Sequence, residues 1–504
     1  MRILLVQPAP FEDNRLGLEN TFWLSEPVGL TSIGTMVQDE HEVLILDMRL
    51  EEPAKLPETL RNFKPDLVGT TAMTTDAYQA KAVMMLAKQI LPTCLTVMGG
   101  HHATFMPEFY DEPYVDVVVQ GEGELTFQDL VGTWSGALAV EDEPSTQVLA
   151  TLQGARVHLP DGQWTDGSKP KWAEIDDFPA PDRKLIQQYQ GQYFFLAAKP
   201  LASIFTSRGC SFDCNFCAIW EFYDRKTRFL SAKNIADQME ACEEDFIFLL
   251  DDNFLTNRQR LERLCEELEE RQLGKYWMTQ GRTDFIAKYP ELIARLADVG
   301  LAGILSGYET NDEDALEGLN KRNTLENNRA ASKILRENGI LSTGIFMVRP
   351  EFEEKDFDAL YEYIADLGVT FPLVTILTPL PGTEMYRKYE DQLLTKDFRL
   401  YDLLHPVIET KLPREEFYKN FTRYRSIYRQ NRNGWLTAKV AWRRRDFLRK
   451  LLPGMPRTIV QGLKYQKIQF DYRSYLRDEA GIIDSEPANN PIETDPEYLA
   501  QTGK

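Results

Sequence analysis

The sequence lacks the features that mark several classes of protein. No apolar run reaches the length of about 18 residues that a membrane-spanning helix needs. The net charge of −21 argues against non-specific nucleic-acid binding by the whole surface, so no nucleic-acid partner is expected. Six cysteines in 504 residues are too few for a disulfide framework and indicate a reducing, cytoplasmic location.

The start of the chain also lacks the pattern of a secretion signal. MRILLVQPAP has one basic residue and a short apolar run that ends in proline, which predicts a first β-strand and not a cleavable signal peptide. The composition, 43% hydrophobic and 27% charged, is typical of a soluble globular protein. A chain of this length is expected to form about two to four domains.

Half of the cysteines are concentrated in one loop. Cys210, Cys214 and Cys217 have the spacing C-x3-C-x2-C. A closed zinc site needs four ligands, whereas three cysteines on a cubane iron–sulfur cluster leave one iron open to a non-protein ligand. The spacing therefore predicts a [4Fe–4S] cluster, with zinc binding or a thiol redox pair as alternatives. The other cysteines lie in apolar, helix-like stretches and are predicted to be core residues: Cys94, Cys242 and Cys265.

Strands and helices alternate over residues 1–140. The predicted strands are 2–7, 41–47, 67–71, 95–98 and 115–119, and two of the predicted helices are 27–38 and 77–90. Strands without clean polar alternation, separated by helices, indicate a parallel sheet that is covered on both faces. This pattern predicts a flavodoxin-like domain of the α/β class, with ligands at the carboxyl ends of the strands, where Gly99 and Gly100 lie.

A second series of strands and helices follows a connecting segment. Residues 141–197 contain Asp-Gly turns and repeated prolines and are interpreted as the connection. Residues 198–390 hold the predicted strands 201–206, 246–250, 276–280, 303–306, 341–347 and 373–377. Six consecutive βα units predict a (β/α)6 partial TIM-type barrel, whose active site belongs at the carboxyl ends of the strands. The cysteine loop follows the first of these strands.

The C-terminal part is predicted to be helical over residues 391–477 and acidic and disordered over 478–504. Residues 432–467 contain ten Lys and Arg against one acid, Asp446, and carry Trp435 and Trp442 among other apolar residues. This pattern suits a helix on an anionic membrane surface, and the alternative is a basic helix that packs on the acidic body of the protein.

The loop motifs resemble those of one known family. The cysteine loop CSFDCNFC, with Phe216 before its last cysteine, resembles the cluster loop of the radical S-adenosylmethionine (SAM) superfamily. The N-terminal motifs GGHHAT and VVVQGEGELTF resemble the cobalamin-binding subgroup of that superfamily, of the class B methylase type. The resemblance covers roughly residues 1–390.

The resemblance implies a set of cofactor contacts. The three cysteines would hold the [4Fe–4S] cluster, and SAM would bind its open iron. The implied SAM contacts are Phe216 at the adenine, Asp251 and Asp252 at the methionyl amine, Arg282 at the carboxylate, and Asp284 and Glu309 at the ribose and methionine. The implied cobalamin contacts are Thr70, Thr71, Gly99 and Gly100 at the nucleotide tail, with His101 as a candidate cofactor or interface contact. The acids can alternatively cap helices, and Arg282 can form an ordinary salt bridge.

Two motifs depart from the family pattern. The loop from Gln7 to Pro27 contains no D-x-H-x-x-G and no histidine, so no protein histidine is expected to ligate cobalt from below in that loop. The segment FMVRPEFE, residues 346–353, stands where many relatives have a glycine-rich turn, which leaves that cofactor contact open.

The function implied by the resemblance is methylation of an unactivated carbon through a 5′-deoxyadenosyl radical and methylcobalamin. The segments after residue 348 resemble the branch that contains hopanoid C-3 methylases, which implies a lipid-like or other small-molecule substrate and peripheral contact with the inner membrane face. A flavodoxin or ferredoxin would supply electrons. The alternatives are a cyclase or oxidase of tetrapyrrole biosynthesis that transfers no methyl group, and a non-catalytic cobalamin or redox sensor.

Overall fold

A computed structural model describes residues 1–9, 22–167, 170, 172–424 and 444–484. Two six-stranded sheets, the first parallel except for one edge strand and the second parallel throughout, form the body of the described chain, each with helices beside it. No helix among the described residues is both long and apolar enough to cross a bilayer.

The first sheet has the predicted flavodoxin-like order. Its elements are β1 (Arg2–Gln7), β2 (Trp23–Leu24), α1 (Val28–Thr35), β3 (Glu42–Asp47), α2 (Lys55–Phe63), β4 (Leu67–Thr71), α3 (Ala77–Ile90), β5 (Leu95–Gly99), α4 (His101–Phe105), β6 (Val117–Val119), α5 (Glu124–Leu138) and β7 (Ala155–Val157). The sheet order is β3-β1-β4-β5-β6-β7, and the first five strands of this order are parallel. The last strand is antiparallel to β6. It comes from the segment interpreted as a connection, and it joins the sheet because Ala155 and Val157 are buried against its core.

The second sheet is the predicted open barrel. Its elements are β8 (Phe194–Phe195), β9 (Leu201–Ile204), β10 (Ser207–Arg208), α6 (Ile219–Phe222), β11 (Arg228–Phe229), α7 (Ala232–Ala241), β12 (Phe246–Leu249), α8 (Arg258–Arg271), β13 (Tyr276–Gln280), α9 (Thr283–Lys288), α10 (Pro290–Asp298), β14 (Leu301–Glu309), α11 (Glu313–Gly318), α12 (Leu325–Glu337), β15 (Leu341–Val348), α13 (Glu354–Leu367), β16 (Phe371–Ile376) and α14 (Glu384–Tyr389). The order β16-β15-β14-β13-β12-β9 is parallel throughout and does not close on itself. The fold class predicted from the sequence is therefore confirmed.

One apolar core connects the two sheets. β2 lies near the start of the chain and pairs antiparallel with β8, which directly precedes the barrel. Trp23 of this pair packs against Phe248 inside the barrel, with 5.3 Å between the ring centroids. Buried residues of the first sheet and of the barrel strands belong to the same cluster. This packing fixes the two domains against each other.

The C-terminal helices lie outside the barrel and at the amino ends of its strands. They are α15 (Arg414–Phe421), α16 (Arg445–Leu451), α17 (Met455–Gln469) and α18 (Tyr472–Asp484). Phe447 packs against Phe246 and Tyr276, the first residues of β12 and β13, so α16 lies at the amino ends of the barrel strands. The predicted disorder from residue 478 is wrong as far as Asp484, because α18 continues there and buries Ile482. Residues 485–504 and the basic positions 432–443 lie outside the described ranges.

Candidate active site

The carboxyl ends of the strands of both sheets face each other. His101, directly after β5, stacks on Phe222 of α6, with ring centroids 5.4 Å apart and planes 2° apart. Phe105 lies against Gly382, which follows β16; a Cβ on this glycine would come within 2.3 Å of the Phe105 ring. Because ligands bind at the carboxyl ends of parallel strands, the ligand-binding edges of two sheets meet at one place.

The cysteine loop lies at this meeting point. A short antiparallel ladder closes its base, where Ser207 pairs with Phe229 and Arg208 with Arg228. Inside the loop, the Trp220 indole donates a hydrogen bond of 3.0 Å to the carbonyl of Cys214. The backbone N–H of Met385, after β16, donates to the carbonyl of Asn215. The loop is therefore held from both edges of the open barrel.

The three thiols of the loop are reduced and partly or fully buried. Burial raises the pKa of Cys217 to about 12 and also raises that of Cys214, which Lys321 and Arg282 oppose. Among the described residues no three His, Cys, Asp or Glu side chains are arranged to bind a single metal ion. Three thiolates of a cubane cluster bind three different irons, so a cluster does not require them to meet at one ion.

Two nitrogen donors point at the cysteine sulfurs. Arg282 Nη1 lies 4.0 Å from Cys214 Sγ, and Asn253 Nδ2 lies 3.8 Å from Cys210 Sγ. The Asn253 Oδ1 atom is buried and has no hydrogen-bond partner among the residues that the structure describes. Donors to ligand sulfurs stabilise an anionic iron–sulfur centre and tune its potential. The residues present therefore fit a cluster held by these thiols.

The two adjacent carboxylates after β12 have different partners. Asp251 is fully buried and accepts hydrogen bonds of 2.6 Å from both the backbone and the hydroxyl of Thr206, and one of 2.5 Å from the Ser207 hydroxyl. These bonds anchor the strand that leads into the cysteine loop and occupy both oxygens, so the structure does not favour Asp251 as a SAM contact. Asp252 accepts from the backbone of Gly209 and has no cation partner in the described part of the chain. Burial, and then the charge of Asp251, raise the pKa of Asp252 to about 7.

Arg282 and Asp284, which the sequence proposed as separate SAM contacts, pair with each other. Arg282 Nε lies 3.0 Å from Asp284 Oδ1. The Arg282 guanidinium also donates to the carbonyls of Lys321 and Arg322, at 2.6 and 3.1 Å. It lies 3.6 Å from the centroid of the Phe212 ring in the cysteine loop. Arg282 therefore connects the cysteine loop with the turn at residues 319–322.

Glu309 faces a lysine that sequence reasoning missed. Lys321 Nζ lies 2.6 Å from Glu309 Oε1, and both side chains are buried. Burial lowers the pKa of Lys321, but the negative charges of Glu309 and Cys214 and the hydrogen bond to Glu309 together outweigh this effect, so the pKa is raised. Lys321 Nζ also lies 5.8 Å from the centroid of Phe216. The Phe216 ring packs at the edge of an apolar cluster at the barrel mouth, formed by Leu319, Met347, Leu377 and Met385.

The proposed cobalamin residues lie side by side at the carboxyl ends of two central strands of the first sheet. Thr71 pairs with Gly99 at the ends of β4 and β5. Gly100 has a φ of +98°, and a Cβ there would come within 2.4 Å of Thr71 Oγ1, so only glycine fits this approach. The Thr70 hydroxyl points inward and donates to the carbonyl of Val6. His101 stacks on the barrel domain, and burial lowers its pKa to about 4, so its ring is neutral at pH 7.

Two family models match the chain in the same order as the two sheets. The B12 binding domain model matches residues 23–131, and the Radical SAM superfamily model matches residues 204–364. Together they cover more than half of the sequence, and the second begins at the strand before the cysteine loop. The chain belongs to the cobalamin-binding radical SAM family.

Known members of this family align with most of the chain. The hopanoid C-3 methylase of Methylococcus capsulatus is 27% identical over 87% of this chain and 82% of its own length. The anaerobic magnesium-protoporphyrin IX monomethyl ester cyclase of Rubrivivax gelatinosus is 29% identical over 70% of this chain and 63% of its own length. The fold agrees with that of the cobalamin-dependent radical SAM enzyme OxsB, at a TM-score of 0.65 and 15% identity over 100% of this chain and 84% of the other.

Proposed function

We propose that this radical SAM enzyme transfers a methyl group to an unactivated carbon of a small, lipid-like molecule. One observation carries the proposal: the cysteine loop lies where the ligand-binding edge of the cobalamin domain meets that of the barrel. A shared edge allows both cofactors to act on one substrate. Methyl transfer is also the activity named for the hopanoid C-3 methylase, which aligns with 87% of the chain.

The proposal assigns the cluster to Cys210, Cys214 and Cys217. When bound, the cluster and SAM supply a radical that activates the substrate carbon, and cobalamin supplies the methyl group. Arg282 and Asn253 direct N–H groups at two of the sulfurs and stabilise their negative charge. The apolar side chains around Phe216 exclude water from the barrel mouth.

The SAM contacts that the structure supports best are Asp252 and Phe216. Asp252 is a partly buried carboxylate beside the cysteine loop with no cation partner among the described residues, and a methionyl ammonium would complete such a pair. Phe216 presents an apolar ring to an adenine. Arg282, Asp284 and Glu309 already have protein partners, so we assign them to shaping the pocket.

We assign the cobalamin tail to the groove beside Thr71, Gly99 and Gly100. Gly99 and Gly100 have no side chains, which would let a ligand lie close to the backbone at the carboxyl ends of β4 and β5. Thr70 supports this groove from beneath through its bond to Val6. His101 forms one wall and holds the barrel domain in place.

For the substrate we propose a hopanoid-type lipid. The support is the likeness to the hopanoid C-3 methylase, and a surface that suits a bilayer. Five exposed apolar side chains follow helical spacing at α17 and just before it: Leu452, Met455, Ile459, Val460 and Leu463. Exposed cations flank them, among them Arg445, Arg449 and Lys464. We propose that this face, named here the α17 face, lies on the anionic inner surface of the membrane.

The function is tested by anaerobic reconstitution with iron, sulfide and cobalamin. The protein is reduced with flavodoxin or ferredoxin, the electron donors that we propose, and incubated with membrane-lipid extract and SAM carrying a deuterated methyl group. A lipid product that has gained one CH2 unit and retains deuterium supports methyl transfer. Formation of 5′-deoxyadenosine with no deuterium in any lipid product contradicts it.

A second candidate is oxidative ring formation without methyl transfer. The cyclase of R. gelatinosus is 29% identical over 70% of this chain, and this similarity favours ring formation as the second candidate. The same incubation, carried out with a porphyrin ester in place of lipid, separates the two candidates. A cyclase would oxidise the porphyrin and form 5′-deoxyadenosine, while the deuterated methyl group would remain on the methionine released from SAM. A non-catalytic sensor, the third hypothesis, would form no 5′-deoxyadenosine with either substrate.

A further inference from the structure

A loop of the cobalamin domain is bound to the base of the cysteine loop through buried charges. Glu122 and Glu124 lie just after β6, in the Gly-Glu-Gly-Glu turn. Arg208 Nη1 lies 3.2 Å from Glu122, and Arg208 also pairs with Glu124. Arg228 donates a 2.9 Å hydrogen bond to Glu122 Oε2. These four residues are named the clasp.

The two arginines of the clasp are positioned by the ladder that closes the cysteine loop. Arg208 of β10 pairs directly with Arg228 of β11, so two like charges are neighbours across the ladder. Like charges opposite each other destabilise a strand pair unless acids neutralise them. Glu122 and Glu124 supply that neutralisation from the other domain, and both are buried. The ladder therefore depends on the cobalamin domain for its charge balance.

The acidic turn, residues 121–124, is also hydrogen-bonded to the groove assigned to cobalamin. The backbone N–H of Gly121 donates a 2.9 Å hydrogen bond to Thr104 Oγ1. The same hydroxyl donates at 2.9 Å to the carbonyl of Gly100. A continuous series of hydrogen bonds and ion pairs thus runs from Gly100 to Arg208, which is two residues before Cys210.

We propose that the clasp positions the iron–sulfur cluster relative to cobalamin. Glu122 and Glu124 are positioning residues in this proposal, since they act through Arg208 and Arg228 and do not touch a cofactor. The inference rests on the proposed function, because it takes the cofactor assignments from it. A group displaced by about 1 Å can cost 100-fold in rate, so fixing this distance matters to the reaction.

The proposal is tested on the full chain loaded with cluster and cobalamin. E122Q and E124Q remove one charge each and keep the side-chain shape. The double variant E124R/R208E exchanges the charges of one pair, and E269Q, which breaks an exposed pair with Arg295 on the barrel surface, is the control. Iron and cobalamin contents are measured first. Pulsed EPR of the magnetic coupling between cob(II)alamin and the reduced cluster then reports their distance without any substrate.

We expect E122Q and E124Q to retain both cofactors and to broaden or shift the distribution of distances between the cluster and cobalamin. Turnover should fall by about 100-fold. E124R/R208E should restore the distance, and E269Q should match the wild type. Unaltered distances in both glutamine variants would overturn the proposal. If those variants do not fold, the exchanged pair decides: recovery of fold and distance supports the clasp, and failure of either overturns it. A wild-type protein that binds no cobalamin or cluster would instead contradict the proposed function.

Discussion

At the scale of single residues, Asp252 differs from its neighbour Asp251 in what it contacts. Asp251 accepts three hydrogen bonds from Thr206 and Ser207, whereas Asp252 is a partly buried carboxylate with no cation partner in the described ranges. We expect D252N to weaken SAM binding by about 2 kcal/mol, on the order of 30-fold in Kd, since a charge-assisted hydrogen bond is lost. Equilibrium binding of SAM to the reconstituted protein measures this change.

The control for this variant is D298N, which alters an exposed aspartate on the far side of the barrel. Iron content must be unchanged in both variants, so that loss of the cluster is not mistaken for loss of SAM. Wild-type affinity in D252N would show that the methionyl amine binds elsewhere.

The buried pair of Glu309 and Lys321 makes a second prediction at this scale. K321M leaves the Glu309 carboxylate buried without its cation, and breaking such a pair costs about 3–5 kcal/mol. We expect a lower free energy of unfolding, measured with urea. The double variant E309Q/K321M should recover part of the loss, because no uncompensated charge remains. Additive losses in the double variant would show that the two side chains do not stabilise each other.

The contacts of these residues explain what the sequence could and could not predict. The spacing of the three cysteines already predicted the cluster loop. Spacing could not tell Asp251 from Asp252, since one residue of register decides which carboxylate faces the core. Lys321 was missed because its partner Glu309 lies on another element, and only the turn at residues 319–322 brings them together.

At the scale of elements, α18 is held to the barrel by a buried histidine. His405 Nδ1 lies 3.0 Å from Asp402, and its Nε2 lies 3.8 Å from Asp478 of α18. Burial lowers the pKa of His405, but the two carboxylates outweigh it, so the pKa is raised above the ordinary value of 6.5. Protonated His405 therefore stabilises the attachment fully below that value, and this stabilisation is lost as pH rises through the folded-state pKa.

We expect H405Q to loosen α18 more at pH 6 than at pH 9. Hydrogen exchange of peptides that cover residues 472–484, compared with the wild type at each pH, measures the opening free energy of this helix. H41Q, in the other domain, is the control. An equal effect of H405Q at both pH values would show that its charge plays no part.

Element bounds agree with the sequence prediction where hydrophobic periodicity is strong. β4, α3 and β13 have the predicted limits. β7 was missed because three residues in a turn-rich segment carry too little pattern, and its strand character comes from pairing with β6. The end of α18 was missed because Ile482 and Ile483 stand among acidic residues, and the burial of Ile482 depends on residues around 400.

At the scale of the whole molecule, the α17 face differs from the rest of the protein in its charge and in its exposed apolar residues. The chain carries a net charge of −21, yet the α17 face combines exposed apolar residues with cations. The opposite side of α17 is fixed to the body, where Arg457 lies 3.3 Å from the Phe194 ring centroid. Because α16 lies at the amino ends of the barrel strands, the α17 face is remote from the cysteine loop. Membrane contact would therefore concentrate the enzyme at the bilayer, and the lipid would reach the cofactors from another side.

The last prediction concerns this face. We expect the full chain to float with vesicles that contain phosphatidylglycerol, and I459D/L463D to lose this binding at least tenfold. Burying one such side chain is worth about 1.5–3 kcal/mol, and two new anions add repulsion from the lipid. Binding of the wild type should also fall as salt increases, because the lysine and arginine charges are screened. V148D changes an exposed apolar residue elsewhere and should float like the wild type. Equal flotation of I459D/L463D and V148D would show that the membrane contact lies on another surface. Equal binding of the wild type to neutral phosphatidylcholine vesicles would show that the lysine and arginine charges do not contribute to binding.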